Sequence, residues 1–283
     1  MAQQSFFSKL FSSPISGLDI ADQSVKYVTL VPSENGYEIS NYGNVQLPEG
    51  IIVDGNITDP RRLSTILSDI REKGDLHHVR VSLPTSHSFI VENAGLNPVS
   101  HHLRGEALVR SLLPKNHAMT SMLVNFGETQ SDLAVVHKGK VYAAKSFALP
   151  NELTKDLMET FSISLPEAKN IKRSIGLSRR PEHEHIFAAL LSHISSLAQE
   201  LDAAFIEWHT HPTEKRPRIQ EIILVGSNAH IEGLPEYLSA ALRTNVRLGN
   251  PWQNINSLNG YTPPLHAEDA LGYAAAFGLA LEE

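Results

Sequence analysis

Apolar positions alternate with polar ones in short runs through the first part of the chain. Ile15–Ala21 and Val25–Pro32 read as two strands separated by Asp22-Gln23-Ser24. Asn35-Gly36 is a hairpin signal, and a third strand is expected over Tyr37–Leu47. The period then changes. Asp59-Pro60 opens a helix with Leu63, Ile66, Leu67 and Ile70 on one face and Gly74 near its end. Val79–Leu83 reads as a buried strand, Ser88–Val91 as a further short strand and 101–112 as a helix. The pattern then restarts, with strands expected at Met122–Phe126, Asp132–His137 and Val141–Phe147. A loop lies at Gly127–Ser131 and a turn at Lys138-Gly139. Helices follow at 151–161, 164–176 and 183–208, the last with Ile186, Leu190, Ile194, Leu197, Leu201 and Ala204 along one face. Gln220–Val225 is a strand, Gly226–Gly233 a loop, 234–243 a helix and Ala267–Leu281 an alanine-rich terminal helix.

The order strand, loop, strand, turn, strand, helix thus occurs twice, which implies an α/β chain with two similar halves. A first lobe is expected at 15–118, with the 267–281 helix returning to it, and a second at 119–264. Residues 1–14 form a tail whose Phe6, Phe7, Leu10 and Phe11 lie at helical spacing up to Pro14. That stripe reads as a short helix tucked onto the body, or as an anchor for a partner or membrane surface.

Composition narrows the chemistry. The 283 residues carry 24 Lys and Arg against 31 Asp and Glu, a net charge of −7, so no nucleic-acid partner is expected. The absence of cysteine excludes disulfides, thiolate metal sites and a cysteine nucleophile. Nothing in the sequence reads as a signal peptide or a membrane span, so a cytoplasmic protein is expected. Fourteen histidines include His183-Glu184-His185 and His209-Thr210-His211. Their i, i+2 spacing points the rings apart on a helix, so no metal site is expected. No G-x-S-x-G elbow is present.

Three loops follow strand ends. Asp19, Ser24 and Lys26 flank the first, where a carboxylate suits a hydrated metal and a hydroxyl and ammonium suit a phosphate. The second runs from Asn125 through Gly127 and Thr129. The third, Gly226-Ser227-Asn228, is small enough for a base or ribose to approach the backbone.

With these loops in place, the chain resembles the type IV pilus assembly protein PilM family, which is actin-like and related to the cell-division protein FtsA. The resemblance rests on Gly17-Leu18-Asp19-Ile20 through Lys26, LPEGIIVDGNITDP at 47–60, VRVSLP at 79–84 and AGLNP at 94–98. It continues through SLPEAKNIKRSIGL at 164–177 and FIEWHTH at 205–211, then the block from IILVGSNAHIEGLPEYLSAAL through GNPW to GYAAAFGLAL. It implies an actin-like, ribonuclease H-like duplicated fold with two lobes around a nucleotide cleft. It also implies a scaffold or adaptor at the inner face of the cytoplasmic membrane with a PilN-like membrane partner. ATP with Mg is the cofactor it implies, held by Asp19, Ser24, Lys26, Asn125, Gly127, Thr129, Lys172, Gly226, Ser227 and Asn228.

The chain departs from the family pattern in ways that bear on function. Only Thr85–Asn93 lies where the family has a small inserted subdomain, which lines part of the PilN groove, so a weakened PilN contact is expected. Ala21, Asn125, Leu149-Pro150, Ala168-Lys169 and Gly226-Ser227 replace the family's small residue, Asp, Gly-Gly, Ala-Glu and Gly-Gly. Losing carboxylates removes metal and ribose ligands. Weak nucleotide binding, negligible hydrolysis and no catalytic residue are therefore expected. The competing reading is an active ATPase or small-molecule kinase on the same fold. Asn125 has no basic form to serve one, although Glu128 stands nearby.

Overall fold

The computed structural model describes residues 14–53, 55–83, 85–148, 153–211, 216–255 and 261–281. The Phe6/Phe7/Leu10/Phe11 stripe and Leu149-Pro150 lie outside them. The chain divides into two compact units. One takes in the described residues up to His117 and those from Asn250 onward; the other is Ala118–Gly249.

The first unit is built on β1 (Ile15–Ile20), β2 (Ser24–Ser33), β3 (Gly36–Gln46), β6 (His78–Val81) and β7 (Asn97–His101), with the two-residue strands β4 (Ile52–Val53) and β5 (Asn56–Ile57) set apart. Its helices are α1 (Pro60–Gly74), α2 (Ser88–Asn93), α3 (Arg104–Leu112), α8 (Ala267–Ala270) and α9 (Ala274–Ala280). The sheet order is β3-β2-β1-β6-β7. The first three strands are antiparallel, and β6 and β7 run parallel to β1. Glu34 and Asn35 make the hairpin turn, with Ser33 paired to Gly36.

Asp59 caps α1, its carboxylate accepting from the Arg62 amide at 3.0 Å, with Pro60 in the first turn, where the missing N–H costs nothing. Leu63, Leu67 and Ile70 of α1 are buried in one cluster with Leu18, Val79 and Val81 of the sheet. Each such side chain contributes about 1.5–3 kcal/mol on burial. A second cluster joins Val28, Leu30 and Ile39 to Trp252, Ile255, Leu265 and Phe277, with Trp252 and Phe277 edge to face at 5.0 Å. Residues 250–255 and 261–265 therefore pack with the first unit, not with the second, as their place in the sequence had suggested.

Three expectations in this unit are corrected. Ser88–Val91 is helical, within α2, because Ile90 and Val91 are both buried on the side that meets α1 and β7. The strand of this region is β7. The terminal helix is broken, with a 3-10 turn at Leu271–Tyr273 between α8 and α9. α9 lies against β1 and α3 so closely that a Cβ on Gly278 would strike the Ala107 carbonyl.

The second unit repeats the plan. Its strands are β8 (Thr120–Phe126), β9 (Gln130–His137), β10 (Lys140–Ala148), β11 (Glu221–Val225) and β12 (Asn245–Leu248), in the order β10-β9-β8-β11-β12. Again three are antiparallel and two are parallel to the central strand. Its helices are α4 (Leu153–Phe161), α5 (Leu165–Ser174), α6 (Glu184–His209) and α7 (Leu234–Leu242). β11 is buried along its whole length, as a strand covered on both faces must be. Leu190, Ile194, Leu197 and Leu201 form the buried stripe of α6. The loop expected at Gly127–Ser131 is shorter, since Gln130 and Ser131 already pair with Ala148 and Phe147. β12 was not foreseen.

Candidate nucleotide loops

In the first unit, Asp19 sits near the end of β1 and pairs across the ladder with Lys26. The Ala21 amide donates to the Ser24 carbonyl at 2.9 Å, closing the loop. Asp19 is 7% exposed, and its Oδ1 accepts two hydrogen bonds from the protein. Ser82 Oγ donates to it at 2.8 Å and Arg104 Nε at 3.0 Å. Arg104 Nη2 also donates to the Ile20 carbonyl at 2.9 Å. Burial raises the carboxyl pKa, but Arg104, Lys26 and the Ser82 hydroxyl outweigh it and hold the group below its ordinary value. Asp19, Ser24 and Lys26 are thus brought together as expected, joined by Ser82 and Arg104, which the sequence reading missed.

In the second unit, Asn125 lies at the end of β8 opposite Asp132 and donates to its Oδ2 at 3.3 Å, while Ser146 Oγ donates to Oδ1 at 2.6 Å. Behind the loop lies a connected polar network. Lys172 of α5, 4% exposed, donates to Thr154 Oγ1 at 2.5 Å and to Asn228 Oδ1 at 2.7 Å, with Glu128 Oε1 at 3.6 Å. Thr154 Oγ1 donates to Glu128 Oε2 at 2.7 Å, and Asn228 Nδ2 donates to the Gly127 carbonyl at 2.7 Å. Burial pushes the Lys172 ammonium below the usual lysine range, and Glu128 opposes that shift.

Gly226 completes this network. Its φ is +104°, and a Cβ there would strike the Phe126 carbonyl. The close approach lets the Asn228 amide donate to that same carbonyl at 3.0 Å. Gly127, Lys172, Gly226 and Asn228 therefore share one constellation, whereas Ser227 is exposed beside it. Glu128 and Thr154 belong to it as well. Glu128 had been noted only as a neighbour of Asn125, and Thr154 carries no sequence signal for the role.

A model of the type IV pilus assembly protein PilM family matches residues 17–94 and 85–283. The chain belongs to that family. Solved structures agree on the fold. The chain resembles a protein of a PilM-PilN type IV pilus biogenesis complex with a TM-score of 0.73 and 16% identity, over 94% of this chain and 97% of that one. It resembles the ethanolamine utilization protein EutJ from Carboxydothermus hydrogenoformans with a TM-score of 0.66 and 18% identity, over 95% and 90%. It resembles MreB5 of Spiroplasma citri bound to ADP with a TM-score of 0.63 and 14% identity, over 93% and 95%. The fold is actin-like, and the same sheet order occurs in each unit.

A magnesium ion is poorly served by the residues of this PilM-family chain. Asp19 Oδ1 already accepts two hydrogen bonds, one from a guanidinium, and the second loop opens with an uncharged amide at Asn125. Lys172 spends its ammonium on protein acceptors. Among the described residues no helix is long and apolar enough to cross a membrane. No group of three metal-ligating side chains is found among them. His193, which the sequence reading did not single out, is buried with Nε2 3.1 Å from Asp156 Oδ2.

Proposed function

We propose that this chain is an adaptor of the type IV pilus machine that holds a PilN-type membrane partner at the inner face of the cytoplasmic membrane. It does this without turning over nucleotide. The family match along nearly the whole chain carries the reading. The interior placement of Asp19 and Lys172 supports the nucleotide part, because each group is bound to its own chain.

The partner is held by less surface than in relatives that carry the inserted subdomain. Between β6 and β7 the described residues hold a 3-10 turn at Thr85–His87 and the short α2. An extended peptide gains affinity from backbone pairing and from pockets on both walls of its groove. Losing one wall reduces the buried area toward the lower limit of a stable interface, ~1,000 Å². Titrating the cytoplasmic N-terminal peptide of a PilN-type protein into this chain and into a relative with the subdomain tests the reading. Binding that is measurable but at least about tenfold weaker is expected. Equal affinities would show that the tail is held elsewhere, and no binding to this chain would remove the PilN-type partner.

A further inference from the structure

The position of Arg104 is electrostatically adverse unless something compensates it. It is the first residue of α3, where the helix carries the equivalent of about half a positive charge and a cation is disfavoured. Its side chain is nonetheless largely buried. It turns back onto the tip of β1, with Nε 3.0 Å from Asp19 Oδ1 and Nη2 2.9 Å from the Ile20 carbonyl. Ser82 occupies the other accepting direction of the same carboxylate oxygen and receives the Ile20 amide at 3.2 Å. Asp19, Ser82 and Arg104 thereby tie together the ends of β1 and β6 and the start of α3.

We propose that Arg104 is a built-in counter-cation for Asp19, doing at this loop what a hydrated divalent ion does at a loop carboxylate, so that the first unit is assembled without metal. The inference rests on the reading of a nucleotide-poor adaptor and extends it to the cause. Burying an unpaired carboxylate is costly, and a fixed guanidinium with two donors on neighbouring acceptors offsets that cost. A divalent ion arriving here meets Arg104 and Lys26, two cations already facing the carboxylate. It would also have to displace a guanidinium held by two hydrogen bonds.

The test compares melting temperatures of wild type, Arg104→Gln, Arg104→Lys and the double variant Arg104→Gln/Asp19→Asn, in EDTA and in ~10 mM magnesium chloride without nucleotide. Wild type and Arg104→Lys are expected to melt at the same temperature in both. Arg104→Gln is expected to melt lower in EDTA and to recover by about 3 °C in magnesium, while the double variant shows no recovery. A magnesium response in wild type as large as in Arg104→Gln, or none in Arg104→Gln, would overturn the inference. If Arg104→Gln does not fold, manganese binding to wild type, read by electron paramagnetic resonance, decides. One ion per chain that is lost in Asp19→Asn overturns the inference, and no bound ion upholds it. Tight binding of labelled ATP by wild type in EDTA contradicts only the nucleotide-poor reading, whereas the melts judge Arg104.

Discussion

The Lys172 ammonium lies 2.7 Å from Asn228 Oδ1 and joins the loop after β11 to the start of α4 through Thr154. A buried ammonium of this kind is stable only while its partners stay in place, and each partner depends on it in turn. Lys172→Ala leaves Glu128 and Asn228 short of a donor. It is expected to lower stability by about 2–3 kcal/mol, less than a fully buried pair would lose because Glu128 keeps access to water. Lys172→Met keeps the volume and is expected to lose less. Urea unfolding of the two variants beside wild type measures the difference, and a Lys172→Met variant as stable as wild type would mean that packing alone matters there.

Acid stability should report Asp19. Its carboxyl pKa is lower in the folded chain than the ordinary 3.8, so its contribution to stability is fully present above that value and is lost as pH falls through the folded pKa. Asp19→Asn is therefore expected to be less stable than wild type near neutral pH. The gap should begin to narrow as pH falls below about 3.8 and close only below the lower folded pKa, where the wild-type carboxyl is also uncharged. Unfolding by denaturant at a series of pH values reads this directly. A gap that does not change with pH would show that Arg104 does not favour the charged form.

Close helix packing in the first unit sets another limit. Any side chain at 278 meets the Ala107 carbonyl, which belongs to the backbone of α3 and cannot rotate away. Gly278→Ala is expected to cost about 2–3 kcal/mol, or to push α9 off β1 and leave little soluble protein. A thermal melt near that of wild type would show that α9 has room to shift.

The repeated sheet plan was legible because its signals are local. Alternation over β1–β3, the Asn35-Gly36 hairpin signal, whose turn the structure places one residue earlier at Glu34-Asn35, and the Asp59-Pro60 cap each depend on a few neighbouring residues. Besides the two-residue β4 and β5, two strands were missed for physical reasons. β7 contains Pro98, which reads as a strand breaker but is tolerated on β7 because this strand is the edge of the sheet. β12 has four residues and lies at an edge too, with Arg247 reaching Glu221. Ser88–Val91 looked extended because Phe89, Ile90 and Val91 run together. Tertiary burial of Ile90 and Val91 outweighs that local preference.

The site residues were legible as residue types at strand ends, but their partners were not. Asp19 and Arg104 are 85 positions apart, and only the fold brings α3 to the tip of β1. One signal was available: an arginine opening a helix calls for an anion nearby. Lys172 was expected to face a nucleotide. Its ammonium instead lies among Glu128, Thr154 and Asn228, a convergence from three separate segments that no spacing rule contains.

The most direct measurement is calorimetric titration of a PilN-type N-terminal peptide into the wild-type chain, once in EDTA and once in saturating magnesium and ATP. An adaptor whose loops are closed by its own Arg104 and Lys172 binds the peptide in both solutions with the same affinity, within about a factor of two. Binding that appears only with magnesium and ATP, or strengthens about tenfold or more with them, would contradict an adaptor that works without nucleotide.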